Sequence, residues 1–136
     1  MTRRPEFDLY VVADTSTDYG RRILRGAVHY AAHRRIPWRV GWGGWPIQPM
    51  PALARGILAL VTHEGDERRL LQTGVPAVNY SSRFLPKSLP SVVPDNAAIG
   101  QLAAAYFRER LYGRFAFVGI TPHLYSQERE EAFRTA

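Results

Sequence analysis

The residues best suited to chemistry in this chain are Asp95, Asn96, Ser126 and Arg129, which stand at the starts of two consecutive predicted helices. They bring a carboxylate, an amide, a hydroxyl and a guanidinium to the entry ends of those helices. Such groups can hold a small polar molecule through several hydrogen bonds at once. The pattern therefore favours binding of a small polar ligand over cleavage of one.

Polar residues also follow the other predicted strands, and parallel strands would bring them to one edge of a sheet. Hydroxyls, carboxylates and arginines on one edge suit a sugar or polyol, and the rings of Tyr19, Tyr80 and Tyr125 could stack on its C–H faces. The candidate ligand-binding residues are Asp14, Thr15, Ser16, Tyr19, Tyr80, Ser81, Arg83, Asp95, Asn96, Ser126 and Arg129. A plainer interpretation stays open for five residues, because Asp14, Thr15, Asp18, Asp95 and Ser126 are also ordinary helix N-caps.

Catalytic and metal-binding motifs are missing from the sequence. The loop after the first strand has no Gly-x-Gly-x-x-Gly or Walker pattern, and there is no Gly-x-Ser-x-Gly elbow. His29 and His33 are spaced i, i+4, but Tyr30 follows His29 and no third ligand is evident. We predict a protein that is not an enzyme and that uses neither a metal nor a cofactor.

Composition limits the remaining classes. The chain has 136 residues, 46% of them hydrophobic, which is enough for the core of one domain. It has no cysteine, which fits a reducing cytoplasm, and its apolar run at residues 7–13 is too short for a signal peptide or a membrane span. The net charge is +6, but the arginines are spread over several predicted helices, so a solvated surface is favoured over a nucleic-acid interface.

Hydrophobic periodicity predicts an alternation of strands and helices. The predicted strands are residues 7–13, 38–42, 56–61, 75–80, 91–93 and 115–119. The predicted helices are residues 19–32, 66–72, 97–111 and a last one starting near Ser126, with a short helical piece over 51–55 in a proline-rich connection. This order predicts an α/β fold with an open, mostly parallel sheet and helices on both faces. Ligands bind such sheets outside the carboxyl ends of the strands.

Three segments together resemble a known family. They are Asp95-Asn96-x-x-x-Gly100, the segment 111–119, and Ser126-x-x-Arg129-x-x-x-Phe133. They resemble the sensor domains of the lactose/galactose-repressor family, and more narrowly the xylose-operon regulators, in which such a sensor is fused to an AraC-type DNA-binding domain. Residues 14–26 are similar to the first segment of these regulators.

The resemblance implies the first lobe of a type I periplasmic-binding-protein-like fold, in which two lobes clamp the ligand. It implies that Asp95 and Arg129 line the effector pocket, with Asp14 to Ser16 and Tyr80 to Arg83 along the same cleft. Residues 1–136 would be a single N-terminal lobe, with the second lobe and the DNA-binding domain outside this chain.

The resemblance further implies a transcription regulator with a small, xylose-like sugar effector. It would contact DNA through a C-terminal domain, and it would be a cytoplasmic homodimer with no membrane partner. The helix at residues 19–32 could face the second subunit or simply be solvated. The alternative function is a sugar-binding protein of a transport system with the same fold. An enzyme of doubly wound type ranks third.

Overall fold

The computed structural model describes residues 6–46 and 54–136, which form an open sheet of four parallel strands accompanied by four helices. The elements in chain order are β1 (Leu9–Val12), α1 (Asp18–His33), β2 (Val40–Gly43), β3 (Ile57–Ala59), α2 (Glu64–Gln72), β4 (Ala77–Asn79), α3 (Asn96–Glu109) and α4 (Leu124–Thr135). The strand order is β2-β1-β3-β4. The predicted α/β class with an open parallel sheet is confirmed.

The core lies where the central strands meet α2. Val12, Ile57, Ala59 and Val61 contribute β-branched or small side chains, and Leu70 of α2 packs on them with 1% of its surface exposed. β-branched residues suit a pleated, covered strand, and burying each Val, Ile or Leu contributes roughly 1.5–3 kcal/mol. This cluster holds the sheet rigid, so the loops that leave its carboxyl edge start from defined positions.

Local signals set the ends of the helices. Thr17 caps α1 by accepting a hydrogen bond from the Gly20 amide at 3.1 Å, and Asp95 caps α3 by accepting one from the Ala98 amide at 2.9 Å. Gly74, which has a φ of 66°, follows the end of α2. The sequence predicted that this glycine ends the helix, because a residue without a side chain adopts the left-handed conformation easily. Asp14, Thr15, Asp18 and Ser126 do not serve as N-caps, because α1 and α4 begin after Thr17 and His123.

Two predicted strands do not form. The predicted strand at 91–93 is reduced to a single parallel bridge between Ser91 and Asn79. The amide of Asn79 donates to the Pro90 carbonyl and the amide of Val92 donates to the Asn79 carbonyl, both at 2.9 Å. The segment 90–92 thereby occupies the outer edge of β4. The prediction of a strand at 115–119 was wrong, because a strand needs a neighbouring edge to pair with and this one is already in use.

Residues 115–119 instead contribute to an aromatic cluster between α3 and α4. Phe107 and Phe115 stack with ring centroids 5.4 Å apart, and Phe133 contacts Phe115 and Phe117 at 5.3 and 5.7 Å. Aromatic pairs in such geometries contribute about 0.5–1.5 kcal/mol beyond their burial. The cluster joins the two C-terminal helices into one packed unit.

The predicted helical piece over 51–55 falls mostly on residues 47–53, which lie outside the described residues. Where the description resumes, Ala54 forms a parallel bridge with Phe7. Across residues 6–46 and 54–136, no helix combines the length and the apolar character that crossing a bilayer would require.

Candidate functional site

A cleft of about 260 Å³ opens at the carboxyl ends of the strands. It lies between the start of α1, the loop after β4 and the start of α4. The residues lining it are Asp14, Thr17, Tyr19, Gly20, Leu60, Ser81, Ser82, Arg83, Pro94, Tyr125 and Arg129. Open parallel sheets bind ligands at this edge, and a mixture of rings and convergent polar groups is typical of small-molecule sites.

The loop after β1 contributes Asp14, whose carboxylate is held in a tight turn. Asp14 Oδ1 accepts hydrogen bonds from the Ser16 hydroxyl at 2.5 Å and from the Ser16 amide at 3.1 Å. The hydroxyl bond, followed by the amide bond, lowers the pKa of Asp14, and the nearby charge of Arg83 acts in the same direction. Asp14 therefore stays ionised at neutral pH. Neither Ser16 nor Thr15 is among the lining residues. Ser16 instead supports Asp14, and the Thr15 carbonyl accepts a hydrogen bond from Arg21 at 3.0 Å.

Tyr19 and Tyr80 form a tilted aromatic pair at the base of the cleft, with ring centroids 5.9 Å apart and an interplanar angle of 45°. The Tyr19 hydroxyl donates to the Tyr80 carbonyl at 2.8 Å, and the Tyr80 hydroxyl donates to the Val12 carbonyl at 2.9 Å. Tyr80 is 2% exposed, so it lies beneath the cleft rather than on its surface. Burial raises the pKa of both phenols, and for Tyr80 the increase is large. The pair fixes the carboxyl end of β1 and the first turn of α1 relative to the loop after β4.

The raised pKa of Tyr80 makes stability sensitive to alkaline pH. The unfolded chain releases this proton near pH 10.0, whereas the folded chain keeps it, so the folded state binds more protons above that pH. We expect the free energy of unfolding to fall as pH rises above about 10 and to fall less steeply in Tyr80→Phe. Urea unfolding at pH 8 to 11 measures both slopes. Tyr112→Phe is the matched control, because phenylalanine preserves the contact of the Tyr112 ring with Phe107. Equal slopes for wild type and Tyr80→Phe would contradict the assignment.

The loop after β4 supplies Ser81, Ser82 and Arg83, and buried Asn79 shapes it. Asn79 Oδ1 accepts from the Ser81 amide at 2.8 Å, and Asn79 Nδ2 donates to the Ser81 carbonyl at the same distance. The Ser81 hydroxyl then accepts from the Arg83 amide at 3.1 Å. These bonds turn the chain so that the Arg83 side chain lines the cleft.

The same loop is attached to the start of α4 through the backbone. The Ser82 carbonyl accepts from the Tyr125 amide at 3.0 Å, and the Arg83 carbonyl accepts from the Leu124 amide at 3.3 Å. Because first-turn amides have no partner within their own helix, this attachment satisfies them. It also brings Tyr125 and Arg129 of α4 to the cleft opposite Asp14.

Arg129 is positioned by Asn96 and Tyr125. Its Nε donates to Asn96 Oδ1 at 3.0 Å, and its guanidinium carbon lies 5.1 Å from the centroid of the Tyr125 ring. Asn96 is buried and also donates to Glu128 at 2.9 Å. The Asn96 side chain is thus held by Glu128 and in turn holds the guanidinium group by its Nε. The terminal nitrogens of the guanidinium group are therefore available to a ligand in the cleft.

Three other candidate residues perform structural tasks beside the cleft. Asp95 is the N-cap of α3, and Asn96 orients Arg129. Ser126 is buried, and its hydroxyl accepts from the Ile120 amide at 2.8 Å. The structure therefore brings Asp14, Tyr19, Ser81, Arg83 and Arg129 to the cleft and places Thr15, Ser16, Tyr80, Asp95, Asn96 and Ser126 around it. Ligand binding by any of these residues remains a prediction.

Four lining residues were not predicted: Thr17, Gly20, Leu60 and Pro94. Tyr125, whose ring was expected to stack on a sugar, and Ser82, within the segment Tyr80 to Arg83 that was expected along the cleft, both line it. A Cβ on Gly20 would collide with the Asp14 carbonyl, so only a glycine permits the close approach of α1 to the loop after β1. Leu60 and Pro94 are apolar loop residues and give no signal in the sequence.

His29 and His33 both lie on α1 and are exposed. Within the described part of the chain, no three or more His, Cys, Asp or Glu side chains are placed to hold a metal ion.

Comparison with solved structures finds similarity to a structure of the xylose-binding transcription activator xylR, with a TM-score of 0.70 and 25% sequence identity. This chain has the fold of part of that regulator. The alignment covers 99% of this chain and 36% of the xylR chain, so this chain spans a little over a third of the length of xylR. No protein-family model and no curated protein matches the sequence.

Proposed function

We propose that this chain is the first lobe of the sugar-sensing part of a transcription regulator. The observation that carries the proposal is the cleft at the carboxyl edge of the sheet, where hydroxyls, phenol rings, a carboxylate and two arginines converge. Sugars present hydroxyls that both donate and accept hydrogen bonds, together with C–H faces that stack on rings. The similarity to xylR, a xylose-binding transcription activator by name, supports the same class of function.

The proposal includes a second lobe that closes over the ligand. The cleft of this chain is open on one side, and a sugar held by one lobe would keep many of its hydroxyls in water. Closure would exclude that water and would favour the conformation that binds the ligand better. In the full-length protein we propose that this closure changes the spacing of DNA-binding modules carried elsewhere in the polypeptide. The effector and the DNA site would then be thermodynamically coupled.

The regulator would act in the cytoplasm as a homodimer, with α1 facing the partner subunit. Tyr30 of α1 and Trp38 beyond its end are 51% and 39% exposed, and their ring centroids lie 6.1 Å apart. Apolar surface of this kind is common at contacts between subunits.

The second candidate, a sugar-binding protein of a transport system, would share the cleft. The name of the structural neighbour favours the regulator, and binding of the full-length protein to DNA upstream of its own gene would separate the two.

Arg129 provides the sharpest test of the cleft. In Arg129→Ala, we expect the full-length protein to lose roughly 10- to 100-fold in affinity for its sugar, because a charged hydrogen bond contributes about 1.5–3 kcal/mol. Calorimetric titration with xylose and other monosaccharides measures the loss, and a reporter fusion measures the transcriptional response. The same experiments give the effector in the wild type.

Arg134→Ala is the matched control for this experiment. Arg134 lies on the same helix but forms a surface ion pair with Glu130 at 2.8 Å, with its side chain 70% exposed. We expect it to bind sugar as the wild type does. Unchanged binding and induction in Arg129→Ala would remove Arg129 from the site.

A further inference from the structure

The cleft carries an excess of positive charge. Arg83 and Arg129 are its cations, and Asp14 is the only carboxylate among the described residues that line it. Both arginines act electrostatically on the cleft, since Arg83 lowers the pKa of Asp14 and Arg129 opposes the burial-driven rise in the pKa of Tyr19. A ligand in the cleft is therefore exposed to a net positive field.

Asp14 does not neutralise this field through ion pairs. Its carboxylate takes hydrogen bonds from the amide and hydroxyl of Ser16. Among residues 6–46 and 54–136, neither Arg83 nor Arg129 lies within ion-pairing distance of a carboxylate. The two guanidinium groups therefore keep their charge available to a ligand.

The two guanidinium groups also have unused hydrogen-bond donors. Arg129 uses its Nε on Asn96, which leaves the four N–H groups of its terminal nitrogens without an acceptor in the described part of the chain. The Arg83 guanidinium makes no hydrogen bond to any described residue. The forked arrangement of free N–H groups on each guanidinium matches the oxygens of a carboxylate or of a phosphate.

Within this lobe, a neutral sugar would leave this charge uncompensated when water is removed. Excluding water from a cation without an anionic partner costs free energy, whereas an anionic partner offsets that cost and gains charged hydrogen bonds. Resting on the proposed sugar-sensing function, we infer that the effector is an anionic sugar, carrying a carboxylate or a phosphate, and that Arg83 selects for this charge. The hydroxyls of Ser81, Ser82 and Thr17 would serve the polyol part of the ligand.

Calorimetry on the full-length protein tests the inference with matched ligands. The panel contains xylose together with the neutral hexoses glucose, galactose and mannose. For each hexose it also contains the corresponding uronate and 6-phosphate. Members of one configuration differ only at C6, so their affinity ratio isolates the charge, and the uronate and phosphate arms separate the two anionic groups. We expect the tightest ligand to be a uronate or a 6-phosphate that binds at least about tenfold more tightly than its neutral parent. Its affinity should fall as NaCl is raised.

Variants of Arg83 link the preference to this residue. Arg83→Gln should reduce the anionic preference to within about twofold, and Arg83→Lys should retain part of it, because lysine keeps the charge but not the fork. Arg134→Gln removes the same charge from the distant surface pair on α4 and should leave the preference unchanged. Circular dichroism confirms that each variant is folded.

The possible failures can be told apart. A neutral sugar that binds as tightly as its anionic counterparts would overturn the inference while leaving the sensing function intact. A preference that persists in Arg83→Gln would overturn the role of Arg83. If no member of the panel binds, the proposed function itself is contradicted.

Discussion

Replacing Asn79 with leucine is expected to lower the free energy of unfolding by about 3–5 kcal/mol, because it leaves several buried backbone groups without partners. Asn79 is fully buried, and its Oδ1 accepts from the Val61 amide at 3.2 Å and from the Ser81 amide at 2.8 Å. Its Nδ2 donates to the Ser81 carbonyl at 2.8 Å and to the Ser91 hydroxyl at 3.0 Å. Leucine has a similar shape, so the loss reports the polar groups rather than a cavity.

This side chain adds hydrogen bonds between three segments that backbone pairing already places side by side. It ties Val61, two residues after β3, to the loop that presents Ser81 and Arg83, and it holds Ser91 against β4. We therefore expect Asn79→Leu to weaken ligand binding as well as stability. Urea unfolding followed by circular dichroism gives the stability change.

Gln101→Leu serves as the control for Asn79→Leu. Gln101 is exposed on α3, and substitutions at such positions usually change stability by no more than about 0.5 kcal/mol. A loss below about 1 kcal/mol for Asn79→Leu would contradict the role assigned to its hydrogen bonds.

Gly100→Ala is expected to lower the free energy of unfolding by about 1–3 kcal/mol, although alanine is the better helix former. A Cβ on Gly100 would collide with the Arg129 carbonyl and would lie 2.9 Å from Ala132 Cβ and 3.0 Å from the Phe133 amide. Two of these neighbours are backbone atoms of α4, so neither can rotate away. The helices would have to separate, which would also displace Arg129 from the cleft.

Gly26→Ala provides a control of opposite sign. Gly26 lies within α1 and has no atom within 4 Å of the position that a Cβ would take. There the helix preference of alanine acts alone and should raise stability by about 0.5–1 kcal/mol. Both variants are measured by urea unfolding under one condition. A stabilising effect of Gly100→Ala would show that α3 and α4 do not pack closely at this glycine.

The residue types and spacing in the segment from Asp95 to Arg129 predicted a ligand-binding site, and the structure gives physical reasons for that spacing. Asp95 caps α3, Asn96 orients Arg129, and Gly100 lets α4 approach. Of Asp95, Asn96, Gly100 and Arg129, only Arg129 lines the cleft. Residue type could not separate the ligand-facing member from its supports, since a buried amide and an exposed one look the same in a sequence.

The wrong strand at 115–119 illustrates a different limit. Its residues have high strand propensity, but a strand exists only where a second edge accepts its hydrogen bonds. That edge of β4 is taken by residues 90–92, and the phenylalanines of the segment find Phe107 and Phe133 instead. Such competition for one edge is decided by contacts distant in sequence.

The sequence by itself determined the α/β alternation, the stop of α2 at Gly74 and the loops from which the cleft is built. These features depend on local periodicity, on backbone freedom and on the rule that parallel strands end at one edge. Only the tertiary structure decided that Asp14, Arg83 and Arg129 line one cleft with excess positive charge. That arrangement depends on hydrogen bonds that the side-chain oxygens of Asn79 and Asn96 accept from residues far along the chain. Partners at such distances cannot be assigned until the fold brings them together.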